Sequence, residues 1–132
     1  MADLEAARRY AKAAFDLAVE AGTVEAWRSD LGDIATVLAE SQAAPLLADA
    51  RLPLERRYAV VDRALDIQPL ARNLAKLLIQ KGRSQDARAV EQAFARLADE
   101  REGIVHAEIV TAVELSPDRL AEIEQRMAAT LG

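Results

Sequence analysis

The chain has 132 residues, enough for one compact domain and part of another, and 52% of them are apolar, so disorder over the whole length is excluded. Alanine is the commonest residue, while 5 Gly, 4 Pro and 4% aromatics give the composition of close-packed helices, which predicts a mainly α fold. A net charge of −5 with scattered Lys and Arg argues against nucleic-acid binding, the lack of Cys excludes disulfides and thiolate chemistry, and the absence of a bilayer-spanning run or signal peptide predicts a cytoplasmic protein without direct membrane insertion.

The first helix is predicted from about Leu4 to Ala21, with Asp3 as N-cap, Gly22 as the left-handed stop and Thr23 as cap of the next helix. Its polar positions Glu5, Arg8, Arg9, Lys12, Asp16 and Glu20 fall in a stripe about 120° wide, which leaves roughly two thirds of the helix apolar. An ordinary surface helix buries one stripe, so this one has apolar surface to offer elsewhere. A second helix, Val24 to Glu40, places Val24, Trp27, Leu31, Ile34, Ala35 and Leu38 on one face.

Pro45 and Pro53 predict a short helix near 45–50 and a fourth from Leu54 to Asp66. Gln68-Pro69 opens a fifth, ended by Gly82, and Ser84 is the expected N-cap of a sixth that runs to about Arg101. On the fifth helix Leu70, Leu74, Leu77, Leu78 and Ile79 occupy an apolar arc of about 200°, again wider than one packing face. Six helices in about 100 residues predict a bundle.

After Gly103 the period changes. Val105, Ala107, Ile109, Thr111, Val113 and Leu115 alternate with His106, Glu108 and Glu114 in a β-branched run, which predicts a strand. Ser116-Pro117 then opens a last helix carrying Leu120, Ile123, Met127 and Leu131. The expected organisation is a six-helix bundle over 1–103 and a partial α+β segment, one strand and one helix, over 104–132. A lone strand lacks ladder partners, so either the chain stops short of its natural end, the favoured expectation, or another chain supplies the missing strand.

The constellations for catalysis are poor. His106, the only histidine, sits on the predicted strand with no nucleophile elbow near it, and the acidic pairs Asp30/Asp33 and Glu122/Glu124 have the spacing of solvated helix faces. Gly22, Gly82 and Gly103 are isolated, with no phosphate-cradling loop and no zinc spacing. Arg51, Arg56, Arg57 and Arg63 form the densest basic stretch, read as a solvated face. No catalytic residue, cofactor or metal is expected.

Four stretches carry a resemblance when taken in order: RRYAKAAFDLA at 8–18, the Trp27 to Leu31 heart of helix two, RNLAKLLIQKGR at 72–83 and DEREGIVHAEIVTAVELSP at 99–117. Together they resemble the delta subunit of bacterial F-type ATP synthase, related to the mitochondrial oligomycin-sensitivity-conferring protein. The resemblance implies a non-catalytic stator subunit, peripheral on the cytoplasmic side of the membrane, whose bundle sits on the catalytic head. Its C-terminal domain would grip the b subunit of the peripheral stalk, here through an incomplete portion because the family's C-terminal signature lies beyond residue 132. It further implies that a groove between helices one and five receives the N-terminal helix of an alpha subunit. Carried over by position, that groove would comprise Tyr10, Ala13, Ala14, Leu17, Asn73, Leu77 and Gln80, with Trp27 supporting the bundle behind it. The alternative is an unrelated helical scaffold that homodimerises through the same surplus surface, and a small carboxylate hydrolase is the third possibility.

Overall fold

The computed structural model describes residues 3–112 and 117–131. Seven α-helices occur among the described residues: α1 (Leu4–Ala21), α2 (Val24–Ala35), α3 (Ala44–Leu47), α4 (Leu54–Ala64), α5 (Pro69–Gln80), α6 (Ala87–Ala112) and α7 (Pro117–Leu131). A π-helical turn (Thr36–Glu40) extends α2, and a 3-10 turn (Ser84–Asp86) leads into α6. The protein is mainly helical. By compactness it divides into a first unit, Met1–Leu97, and a second, Ala98–Gly132.

Local chemistry sets the ends of the two helices that matter most. The Ala6 N–H donates to Asp3 Oδ1 at 3.1 Å, which satisfies one of the orphan donors at the start of α1. Gly22 closes α1 at φ 69°, and Gly82 follows α5 at φ 70°. At both ends the glycine N–H and the next N–H fold back onto the helix's last carbonyls: Gly22 to Val19 and Thr23 to Ala18, then Gly82 to Ile79 and Arg83 to Leu78. A side chain with a Cβ is disfavoured at such a φ, which is why glycine stands at both stops. Thr23 precedes α2 but makes no side-chain capping bond, contrary to the expected cap; its backbone N–H serves the end of α1 instead. Ser84 is likewise displaced as a cap, being buried at the start of the 3-10 turn, with α6 beginning three residues later.

The core of the first unit is rich in alanine, on α1 above all and also on α5, with larger residues between them. Ala7, Ala11 and Ala18 are at most 2% exposed, so α1 approaches its neighbours closely. Leu31, Ile34, Leu38, Leu47, Val61, Leu78, Ile79 and Val90 fill the volume behind. Three aromatic rings join α1, α2 and α6. Phe94 meets Phe15 edge-to-face at 5.5 Å between centroids and stacks with Trp27 at 6.4 Å.

Polar ties fix how the helices run. Arg83 Nη1 lies 2.8 Å from Asp3 Oδ2, so the start of α1 stands beside the end of α5. Gln68, just ahead of α5, donates through its backbone N–H (3.3 Å) and Nε2 (2.9 Å) to Asp30 Oδ2 on α2. Arg88 grips Glu40 through two 2.7 Å bonds, joining α6 to the π-helical turn. On the far side of α5, Asp62 accepts from both Arg72 (3.3 Å) and Lys76 (2.9 Å).

The basic stretch read as a solvated face is partly structural. Arg57 is only 8% exposed and donates from Nε to the Leu52 carbonyl, and Arg51 forms a forked pair with Asp49 at 3.0 Å through each nitrogen.

The predicted strand is not formed. Residues 104–112 continue α6 as helix, carrying Val105, Ala107, Ile109 and Thr111, and there is no strand among the described residues; Val113 and Leu115 lie outside them. The partial α+β assignment is therefore corrected to two helices, α7 following the end of α6. The physical reason is that extending a helix costs far less than nucleating one, and a helix satisfies its own backbone groups while a lone strand leaves a ladder open. Glu102, Ala107, Glu108 and Ala112 are good helix formers among the β-branched residues, and Thr111 Oγ1 donates back to the Ala107 carbonyl at 3.0 Å. β-propensity measures fit to a pleated surface, and this segment has no such partner.

Gly103 sits inside α6, and a Cβ there would meet nothing within 4 Å. Gly103→Ala is expected to stabilise the helix by about 0.5–1 kcal/mol, read as a higher urea midpoint and stronger helical circular dichroism. A loss of helicity would show that this residue needs a non-helical backbone.

Candidate helix-binding groove on the first unit

An open apolar groove of about 250 Å³ runs between α1 and α5, lined by Tyr10, Ala13, Ala14, Leu17, Trp27, Leu70, Asn73, Leu74 and Leu77. Its depth comes from side-chain size. Ala13 and Ala14 leave room that larger residues would fill, while Leu74 and Leu77 form the opposite wall. Trp27 on α2 closes the floor, only 2% exposed and backed by Phe94. Leu17 and Leu70 line the same groove at 46% and 51% exposure, which adds two large apolar side chains to its open surface.

Of the seven residues expected from the sequence, Tyr10, Ala13, Ala14, Leu17, Asn73 and Leu77 line this one groove, whereas Gln80 is exposed near the end of α5 and is not among its lining residues. Leu70 and Leu74 line it without having been expected, although both belong to the over-wide apolar arc of α5, which was the signal that marked them. Trp27 both supports the bundle and reaches the groove floor.

The polar groups of the groove are few: the Tyr10 hydroxyl and the Asn73 amide among apolar walls. Such a surface supplies area and a little orientation, as helix-binding grooves do. Among the described residues no group of three or more His, Asp or Glu could hold a metal ion, and no helix is long and apolar enough to cross a membrane. His106 lies in the second unit, beside Ile109, Arg126, Met127 and Thr130 around a cavity of about 150 Å³.

Asp3 caps α1 and ties its start to the residue after Gly82. The Ala6 N–H bond, then the bond from Arg83, hold its carboxyl below the ordinary aspartate value of 3.8. A carboxyl depressed in the folded state contributes stability that is present above its unfolded pKa and is lost as pH falls through the folded pKa. The start of α1 is therefore expected to loosen from about pH 4 downward. Amide exchange of residues 4–8 measured at pH 6 and pH 3 checks this: faster opening at pH 3 in the wild type, and a smaller change in Asp3→Asn, which keeps a capping oxygen without a charge.

Residues 6–132 match the family model described as ATP synthase delta (OSCP) subunit. A protein named ATP synthase subunit delta from Moorella thermoacetica is 33% identical over 130 residues, covering 97% of this chain and 73% of that protein. Proteins of the same name from Lactiplantibacillus plantarum (31% over 132 residues, 98% of this chain and 73% of that one) and Caulobacter vibrioides (30% over 132 residues, 97% and 72%) are similar along the same extent. With the match spanning nearly the whole chain, the chain belongs to the ATP synthase delta (OSCP) subunit family, and so to a structural rather than a catalytic subunit of that enzyme.

Proposed function

We propose that the chain is a stator adaptor that seats its six-helix bundle on the catalytic head of an F-type ATP synthase and passes the restraint on to the peripheral stalk. The single observation that carries the reading is the groove between α1 and α5, an apolar trough with two half-exposed leucines and a tryptophan floor. Its occupant is the N-terminal helix of an alpha subunit, laid in as an amphipathic helix with anchors at i, i+3, i+4 and i+7. A stator resists torque on the head and needs durable affinity with no chemistry of its own, which suits a site with apolar walls and only two polar groups.

In this reading the bundle over 1–103 is the head-binding domain and 104–132 is the portion that leads to the b subunit of the stalk. The chain works at the cytoplasmic face of the bacterial membrane, peripherally, through these partners. The test is reconstitution: alpha/beta head particles stripped of their own delta subunit should bind this chain during sedimentation and fail to do so once the alpha N-terminal helix is removed. Binding that survives that removal would sink the groove assignment.

A further inference from the structure

Deepening the helix-capturing role proposed for the groove, on which this inference rests, we infer that the groove is electrically polar along its length and that this polarity fixes the direction in which the guest helix lies. The outer edge of α1 beside the groove reads Arg9, Ala13, Asp16, Glu20 at steps of four, three and four, so one helical edge passes from basic to acidic as it follows the groove from Tyr10 to Leu17. All four residues are exposed.

The antiparallel pairing of α1 and α5, pinned by Asp3 and Arg83, brings the end of α5 to the Tyr10 end, where Lys81 is exposed just past the helix. The start of α5 comes to the Leu17 end, and there exposed Asp66 precedes Pro69 while Asp30 is bonded to Gln68. The α5 edge between them, Leu70, Asn73, Leu77 and Gln80, is uncharged.

Local pairing sharpens this assignment. Asp3 is taken up by Arg83 at 2.8 Å, and Asp86, which accepts from the Asp3 N–H at 3.5 Å, adds one acidic group there, so Arg9 and Lys81 leave the Tyr10 end with a net basic charge. Asp16 is held by Lys12 at 2.8 Å, which leaves Glu20 and Asp66 as the acidic groups of the other. The fitting guest is an amphipathic helix whose flanking side chains are acidic at the end that meets Arg9 and Lys81 and basic at the end that meets Glu20. The apolar walls hold it, and the charges choose its direction, as rim charges set register and orientation more than affinity.

Two synthetic helical peptides test this, sharing one apolar stripe but with their acidic and basic halves interchanged, each carrying a nitroxide at its N-terminus. The peptide with the basic N-terminal half should broaden the amide signals of Leu17, Ala21 and Leu70, and the other those of Tyr10 and Lys81. In the R9E/E20R/K81E chain the two patterns should exchange, while each affinity changes by no more than about three- to tenfold, as exposed pairs allow. Both peptides broadening the same end of the wild type would overturn the charge assignment and leave the groove as a binding site. Failure of either to bind, with the chain folded, would instead remove the groove reading itself.

Discussion

Replacing Leu17 by Asp is expected to weaken capture of an alpha-subunit N-terminal helix by about a hundredfold or more while leaving the bundle's melting temperature close to that of the wild type. The side chain is 46% exposed in the free protein, so the carboxylate stays hydrated until the guest arrives. Seating the guest then presses the carboxylate onto the guest's apolar stripe and strips its water, and a desolvation cost of about 3 kcal/mol corresponds to that hundredfold loss. Ala14 is the less clean site for the same experiment. At 4% exposure an aspartate there would strain the bundle before any partner bound, and loss of binding would not separate from loss of fold. Calorimetric titration with the peptide, alongside a thermal melt, gives both readouts; unchanged affinity in Leu17→Asp would place the guest elsewhere.

The largest effect on the fold is expected from Phe94→Ala. The ring is fully buried and meets two other aromatics, Phe15 edge-to-face and Trp27 stacked, so its removal takes contacts from α1 and α2 at once. Truncating a buried Phe costs about 3–5 kcal/mol, much of a small domain's stability. The groove should suffer with it, because Trp27 rests on Phe94 and forms the floor. Urea unfolding followed by Trp27 fluorescence checks both: a midpoint hardly moved would show that the three rings do not organise the core. Phe94→Leu, nearer in volume, should recover part of the loss.

Much of this arrangement was legible in the residues. Asp3 and Gly22 bracket α1 as their capping chemistry requires, while α5 starts on Pro69 at its first position, without a side-chain cap from Gln68, and is followed by Gly82. The surplus apolar width of these two helices marked the groove, since each carries more apolar surface than one packing face consumes. Gln80 continues the α5 edge by helical periodicity, and the lining of the groove stops short of it at Leu77. Leu70 and Leu74 were visible in the same arc, but choosing among five apolar residues needs the crossing of the helices, which periodicity does not contain.

The strand expected from Val105 to Leu115 failed over its described part, 105–112, for a different reason. Alternation of β-branched residues states what a segment would do beside a partner strand, and among the described residues there is none. With α6 already formed from Ala87, adding turns through Gly103 satisfies each backbone group locally, and a single exposed glycine is too small a penalty to stop it. Arg57 shows the same limit at the side-chain level: a run of arginines reads as surface, and only the packing of α4 against the loop before it reveals that one of them is buried and bonded to a carbonyl.

Titrating the isotopically labelled chain with a synthetic N-terminal helix of an alpha subunit, and following its amide signals, tests the central claim most directly. Saturable shifts concentrated on Tyr10, Ala13, Leu17, Leu74 and Leu77, with the Trp27 indole signal moving alongside them, are what capture in the α1/α5 groove predicts. An unshifted spectrum from a folded chain, or one in which those same signals respond only to the chain's own concentration, would contradict it and favour a homodimer formed through that face.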